Sequence, residues 1–259
     1  MGNLFSNSKK NIEMKEESNK EEIKEVTIEI KEEINKKIRI NYKKSIELEH
    51  PQYKIGNDLE IIFKNSFNKP IDSNIICKFK LYDKIIFGFS FDQCVKNKFP
   101  SNVLVIKFGH NFNKPIDNLS IEFEIDNIQE IILGTKFNQP VNNLSPNIKF
   151  ISFGYEFNQP VNNLPNKLEY IKFSNDFNQN VDYLPCSLTH VFFGNNFNHC
   201  IDDIPCTIKY IELGINFSKQ INSIPFALEK IKFEKKYYDE NKDHLNKILK
   251  SNEFIEIVF

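Results

Sequence analysis

The dipeptide Phe-Asn returns every 20 residues through the second half of this chain. Phe137-Asn138, Phe157-Asn158, Phe177-Asn178 and Phe197-Asn198 stand in strict register, and Phe217-Ser218 continues the series. Upstream, Phe67-Asn68, Phe91-Asp92 and Phe112-Asn113 belong to it at intervals of 24 and 21, with 25 on to Phe137. A fixed period of this length marks a solenoid, because one such unit cannot bury its apolar face alone and must stack on its neighbours. The 259 residues therefore read as one stacked core with flanking segments.

The unit is clearest from Leu168 to Pro185. In Leu168-Glu169-Tyr170-Ile171-Lys172-Phe173, positions one, four and six are apolar, followed by Phe177-Asn178, Val181, Leu184 and Pro185. Positions four and six of an extended segment point to one face. Ile-x-Phe recurs at 61–63, 85–87, 106–108, 151–153, 171–173 and 231–233, with close variants at Ile131, Val191 and Ile211. Each coil thus contributes one short strand, paired in parallel with its equivalents about 4.8 Å away. About ten strands are expected, the last within Phe254–Phe259. The rest of each coil is too short for a regular helix, which predicts irregular or 3₁₀-like turns with Pro at the bend.

The repeated Asn beside the core Phe reads as interior too, where a carboxamide is costly if unpaired, so it is expected to satisfy the turn's backbone and tie each coil to the next. Asp92 and Ser218 replace it with fewer bonding options. Gly88, Gly109, Gly134, Gly154, Gly194 and Gly214 follow the strands, which suits a positive φ or a close backbone approach. Ser174 and Lys64 share the position, so a left-handed backbone is not required in every coil.

The ends differ. Residues 1–22 are polar and read as a disordered tail. Residues 23–57 read as an N-terminal cap, with a helix over about 20–37 and strands near 38–42 and 46–48. The repeat proper spans 58–236, and 237–259 reads as a C-terminal cap with a helix from Tyr238 to Leu249 and a last strand. Met1-Gly2-Asn3-Leu4-Phe5-Ser6 fits the pattern for myristoylation of Gly2. One acyl chain gives only a weak, reversible membrane tether.

The cores Phe67-Asn68-Lys69-Pro70-Ile71 and Phe157-Asn158-Gln159-Pro160-Val161 resemble the FNIP repeat, a leucine-rich-repeat-like family of social amoebae and giant DNA viruses. The resemblance covers about residues 58–236 and departs at Cys94, Asn180, Cys200 and Gln220, which stand at the Pro position. It implies a leucine-rich-repeat-like solenoid that acts in protein–protein interaction. Some relatives carry an F-box and are thought to recruit ubiquitin-ligase substrates; residues 1–57 show no such Leu-Pro-rich pattern.

Chemistry-bearing constellations are scarce. Histidines 50, 110, 190, 199 and 244 fall in different registers, and no nucleophile–base arrangement or Gly-rich phosphate loop is recognisable. Cys186 and Cys206 occupy the same position in neighbouring coils, with His199 and Cys200 between them, but gaps of 14 and 6 do not match zinc spacing. Unreactive thiols are the expectation, with no catalytic residue, metal or cofactor. A net charge of −1 gives no pull toward nucleic acid, and no apolar run approaches the length of a membrane span.

The outward strand positions carry more information. Phe150, Tyr170, His190 and Tyr210 precede the core Ile or Val in four consecutive coils, and Phe192 lies beside Lys172 and Glu212. In-register stacking would range them as an aromatic stripe, a candidate protein-binding face or a set of sheet-stabilising contacts. The expectation is a monomeric, non-enzymatic interaction scaffold in the cytoplasm (the host's, if viral), with a ubiquitin-ligase substrate-recognition subunit as the alternative.

Overall fold

The computed structural model of the chain describes residues 53–55, 60–71, 82–95, 99–117, 127–249 and 255–259. Among them eleven short strands form one sheet in chain order. β1 (Tyr53–Ile55) runs antiparallel to β2 (Glu60–Phe63). From β2 onward every pair is parallel: β3 (Lys84–Ile86), β4 (Val105–Lys107), β5 (Glu130–Ile132), β6 (Phe150–Ser152), β7 (Tyr170–Lys172), β8 (His190–Phe192), β9 (Tyr210–Glu212), β10 (Lys230–Lys232) and β11 (Glu256–Val258). The fold is a leucine-rich-repeat-like solenoid of ten stacked parallel strands, as the periodicity predicts.

In-register pairing puts Ile61, Ile85, Ile106, Ile131, Ile151, Ile171, Val191, Ile211 and Ile231 in one buried row. A slip by one residue would turn each of these to solvent, so the hydrophobic pattern itself fixes the register. Behind the sheet runs a second row, the repeated Phe. Phe67, Phe91, Phe112, Phe137, Phe157, Phe177, Phe197 and Phe217 are buried and stack face to face. Within a coil the spine ring also stacks on the Phe that ends the strand, as for Phe173 and Phe177 at 4.0 Å. Burying each ring contributes roughly 1.5–3 kcal/mol, and this double aromatic layer is the main cohesive element.

The spine rings lie 6.0 Å apart for Phe137 and Phe157 and 6.2 Å for Phe197 and Phe217. Separations of this size belong to offset stacking, for which roughly 4.5–7 Å is usual.

The repeated Asn forms a continuous ladder. Each side-chain oxygen accepts a hydrogen bond from the backbone N–H of its counterpart one coil on. The rungs run from Asn68 to Asp92 at 2.9 Å, then through Asn113, Asn138, Asn158, Asn178 and Asn198 to Ser218. Gln93, Gln139, Gln159 and Gln179 donate to the same oxygens. The coil-to-coil tie is as expected, but its depth is not. These Asn are half-buried or exposed, because the turn that buries Phe rotates the next residue onto the flank.

The glycine column reflects close approach. None of the six has a left-handed φ, and a Cβ on Gly194 would overlap the carbonyl oxygen of Ser174. Lys64 escapes this constraint because it belongs to the first of the parallel coils. Ser174 is buried, its hydroxyl donating to the Phe157 carbonyl at 2.5 Å. The return legs are irregular, closed by four-residue turns such as Leu184 N to Val181 O at 3.3 Å and Leu188 N to Pro185 O at 3.0 Å.

The unequal intervals of the first coils have a simple origin. From the central strand Ile or Val to the spine Phe is six residues in every coil, as in Ile61 to Phe67 and Ile171 to Phe177. The extra residues all fall on the return leg, between Ile71 and Ile85, Val95 and Ile106, and Ile116 and Ile131. Sheet and spine keep their register across them.

At the C-terminal end, α1 (Lys235–Leu249) starts three residues before the expected Tyr238 and buries Tyr237, Leu245 and Leu249. The earlier start has a physical reason. Tyr237 takes the spine position as part of the helix, its ring edge-on to Phe217 at 5.3 Å and its hydroxyl donating to the Lys219 carbonyl at 2.7 Å. That ends the face-to-face stack, and β11 then pairs with β10. The expected tail, helix 20–37 and strands 38–42 and 46–48 lie outside the described residues.

Candidate interaction surface

A three-residue strand with a buried centre must aim its first and third side chains away from the core. Pairing therefore aligns Phe150, Tyr170, His190 and Tyr210 across β6 to β9, and puts Phe192 opposite Lys172 and Glu212. Ring centroids are 4.5 Å apart for Phe150 and Tyr170, 5.8 Å for Tyr170 and His190, and 6.0 Å for His190 and Tyr210. Phe192 tilts between the two tyrosines at 4.8 Å from each. All five rings are half-buried, so each packs on its neighbours and keeps solvent-facing surface.

Polar groups frame the stripe. The Tyr210 hydroxyl donates to Glu212 at 3.1 Å, and the other Glu212 oxygen accepts from Lys232 at 3.1 Å. Burial, then the Glu212 charge, pushes the Tyr210 phenol up to about 12; the same two causes raise Tyr170. Both are neutral donors at physiological pH. The Thr189 hydroxyl donates to the Glu169 carbonyl at 2.9 Å and also lies 2.9 Å from His190 Nδ1. Lys149–Glu169 and Lys209–Glu229 pairs lie on the positions just before the strands, and Lys230–Glu256 on the next pair of strands.

The arrangement can offer broad apolar contact with two phenolic hydroxyls and a charged rim. Thr189 escaped the sequence reading because it does not recur from coil to coil, and Glu212 was read only as a neighbour of Phe192. A separate pair, exposed Phe89 stacked on half-buried His110 at 4.5 Å, also went unremarked.

The other sequence candidates do not assemble. His199 Nε2 meets the Asn178 carbonyl at 3.0 Å, and His244 Nε2 meets that of Ile221 at 2.9 Å. Cys94, Cys186, Cys200 and Cys206 are free and exposed. No group of three or more His, Cys, Asp or Glu among the described residues is placed to hold a metal ion. Gly2 and His50 lie outside the described residues. No described helix is long and apolar enough to cross a membrane.

The family model described as FNIP Repeat matches residues 137–176 and 161–196. CroV588, a giant-virus protein whose crystal structure is described as a novel circular LRR protein structure, is 27% identical over 70% of this chain, with a TM-score of 0.39. The chain spans 38% of that protein's length. No curated protein matches the chain.

Proposed function

We propose that this solenoid of FNIP repeats is a non-catalytic scaffold that recognises a protein partner through the outward face of β6–β9, centred on Phe150, Tyr170, His190, Phe192 and Tyr210. The observation that carries the reading is the contiguous five-ring stripe, half-exposed on a rigid sheet and rimmed by charge. Tyrosine-rich patches of this kind supply large, preorganised contact area and concentrate binding energy in a few side chains.

The test is affinity capture from cell extract with the wild type and the Tyr170→Ala/Tyr210→Ala double variant. Loss of roughly tenfold or more of specific capture, with the far-UV spectrum retained, supports the reading. Undiminished capture by a folded double variant sinks it. An acyl chain on Gly2 belongs to the same proposal as a weak membrane tether, checked by the mass of the N-terminal peptide. Recovery of a ubiquitin-ligase adaptor, lost on deletion of residues 1–57, would instead point to substrate recruitment.

A further inference from the structure

Two thiols stand in neighbouring coils at equivalent positions, on the return legs that lead into β8 and β9. Cys186 follows Pro185 and Cys206 follows Pro205, each inside a turn of the same form: Leu188 N bonds Pro185 O at 3.0 Å, and Ile208 N bonds Pro205 O at 3.2 Å. The two turns are laid on each other. The Thr207 hydroxyl bonds the Cys186 carbonyl at 2.9 Å, and two and three residues on, Lys209 N and Tyr210 N bond the Thr189 carbonyl at 2.8 and 3.1 Å. The next coil repeats the contact, with Ala227 N on the Cys206 carbonyl at 3.0 Å. Coils joined by backbone bonds such as that from Lys209 N to Thr189 O run about 5 Å apart, inside the roughly 4.4–6.8 Å Cα separation that a disulfide spans. Both side chains are exposed and free.

We propose that Cys186 and Cys206 are a modification site: a reversible disulfide that staples two adjacent coils, formed by exchange with a low-molecular-weight disulfide such as glutathione disulfide. One protein thiolate attacks the oxidant, forms a mixed disulfide and releases one glutathione thiolate. The second protein thiolate attacks the protein-side sulfur and releases the other. Two protein thiols become one disulfide, one glutathione disulfide becomes two thiols, and the two protons pass to the leaving thiolates. Ring closure outcompetes a second glutathione because the neighbouring thiol is held beside the mixed disulfide. Cys200 has no such partner: Asn180 and Gln220 occupy its position in the flanking coils, and its sulfur accepts the Asp202 N–H at 3.4 Å.

The full chain is reduced, equilibrated with glutathione buffers of rising oxidised fraction, alkylated and read by intact mass and peptide mapping. The expected product carries two fewer alkyl groups than the fully reduced, alkylated chain and maps to a Cys186–Cys206 linked peptide. Cys186→Ser or Cys206→Ser should replace the linkage with a glutathione adduct on the surviving thiol, while Cys200→Ser leaves it intact. Glutathione adducts on both thiols of the wild type, linkage to Cys200, or persistence of both thiols in the most oxidising buffer would overturn the proposal.

Discussion

Replacing Asn158 separates what its carbonyl oxygen does from what the carboxamide as a whole contributes. That oxygen accepts from Asn178 N at 2.9 Å and from Gln179 Nε2 at 3.0 Å, while the Asn158 N–H itself bonds Asn138. Asn158→Ala therefore removes one rung and leaves those on either side. A net hydrogen bond contributes roughly 0.5–1.5 kcal/mol, and water can reach Asn178, so the two losses sum to about 1–2 kcal/mol. With a urea slope near 2 kcal/mol/M, the midpoint should fall by roughly 0.5–1 M at constant slope. Asn158→Asp keeps the acceptor. Asp92 already does this job, holding the Asn113 N–H at 2.9 Å, so the loss should stay below about 0.5 kcal/mol. Urea unfolding followed by circular dichroism gives the midpoints, and hydrogen exchange should show faster exchange at the Asn178 amide in the Ala variant alone. An Ala variant with an unchanged midpoint, or an Asp variant as unstable as Ala, would refute the acceptor-ladder argument.

Three further outcomes follow from the same geometry. Phe177→Ala, at a fully buried ring between Phe157 and Phe197, should cost about 3–5 kcal/mol, and the equivalent change at Phe67 at the end of the stack should cost less in urea unfolding. Gly194→Ala should cost about 1–3 kcal/mol, read as a lowered Tm, because its Cβ meets the Ser174 carbonyl. At Asp202, burial raises the carboxyl, but bonds from Asn222, Ser223 and Cys200 outweigh it and hold the group below its ordinary value. Its contribution is then present above the unfolded value near about 3.9 and lost as pH falls through the lower folded value; Asp202→Asn should flatten that part of the Tm–pH curve.

The strand and spine positions were readable because a buried row must recur with the coil, so Ile171 and Phe177 announce themselves by their copies. Recurrence says nothing about depth, which is why Asn158 reads from sequence as a core residue and stands on the flank. β1 gave no signal: Tyr53-Lys54-Ile55 is three residues long, and it pairs antiparallel where every copy of the repeat pairs in parallel. The stripe at Phe150, Tyr170, His190 and Tyr210 was visible because it sits one residue before a recurring position. Glu212 and Thr189 matter through contacts that only the folded register creates.

The confinement of extra residues to the return leg divides each coil into text the fold must read and text it can skip. From strand to spine the spacing never changes, so an insertion there would pull a ring out of the stack. Between the Ile or Val that follows the spine and the next strand, the chain already carries up to five additional residues in a coil while the sheet stays in step. Duplication of whole coils and lengthening of single return legs are thus independent routes by which such a chain can diversify. The first lengthens the sheet, and the second adds new sequence at its margin without altering the lattice that holds it.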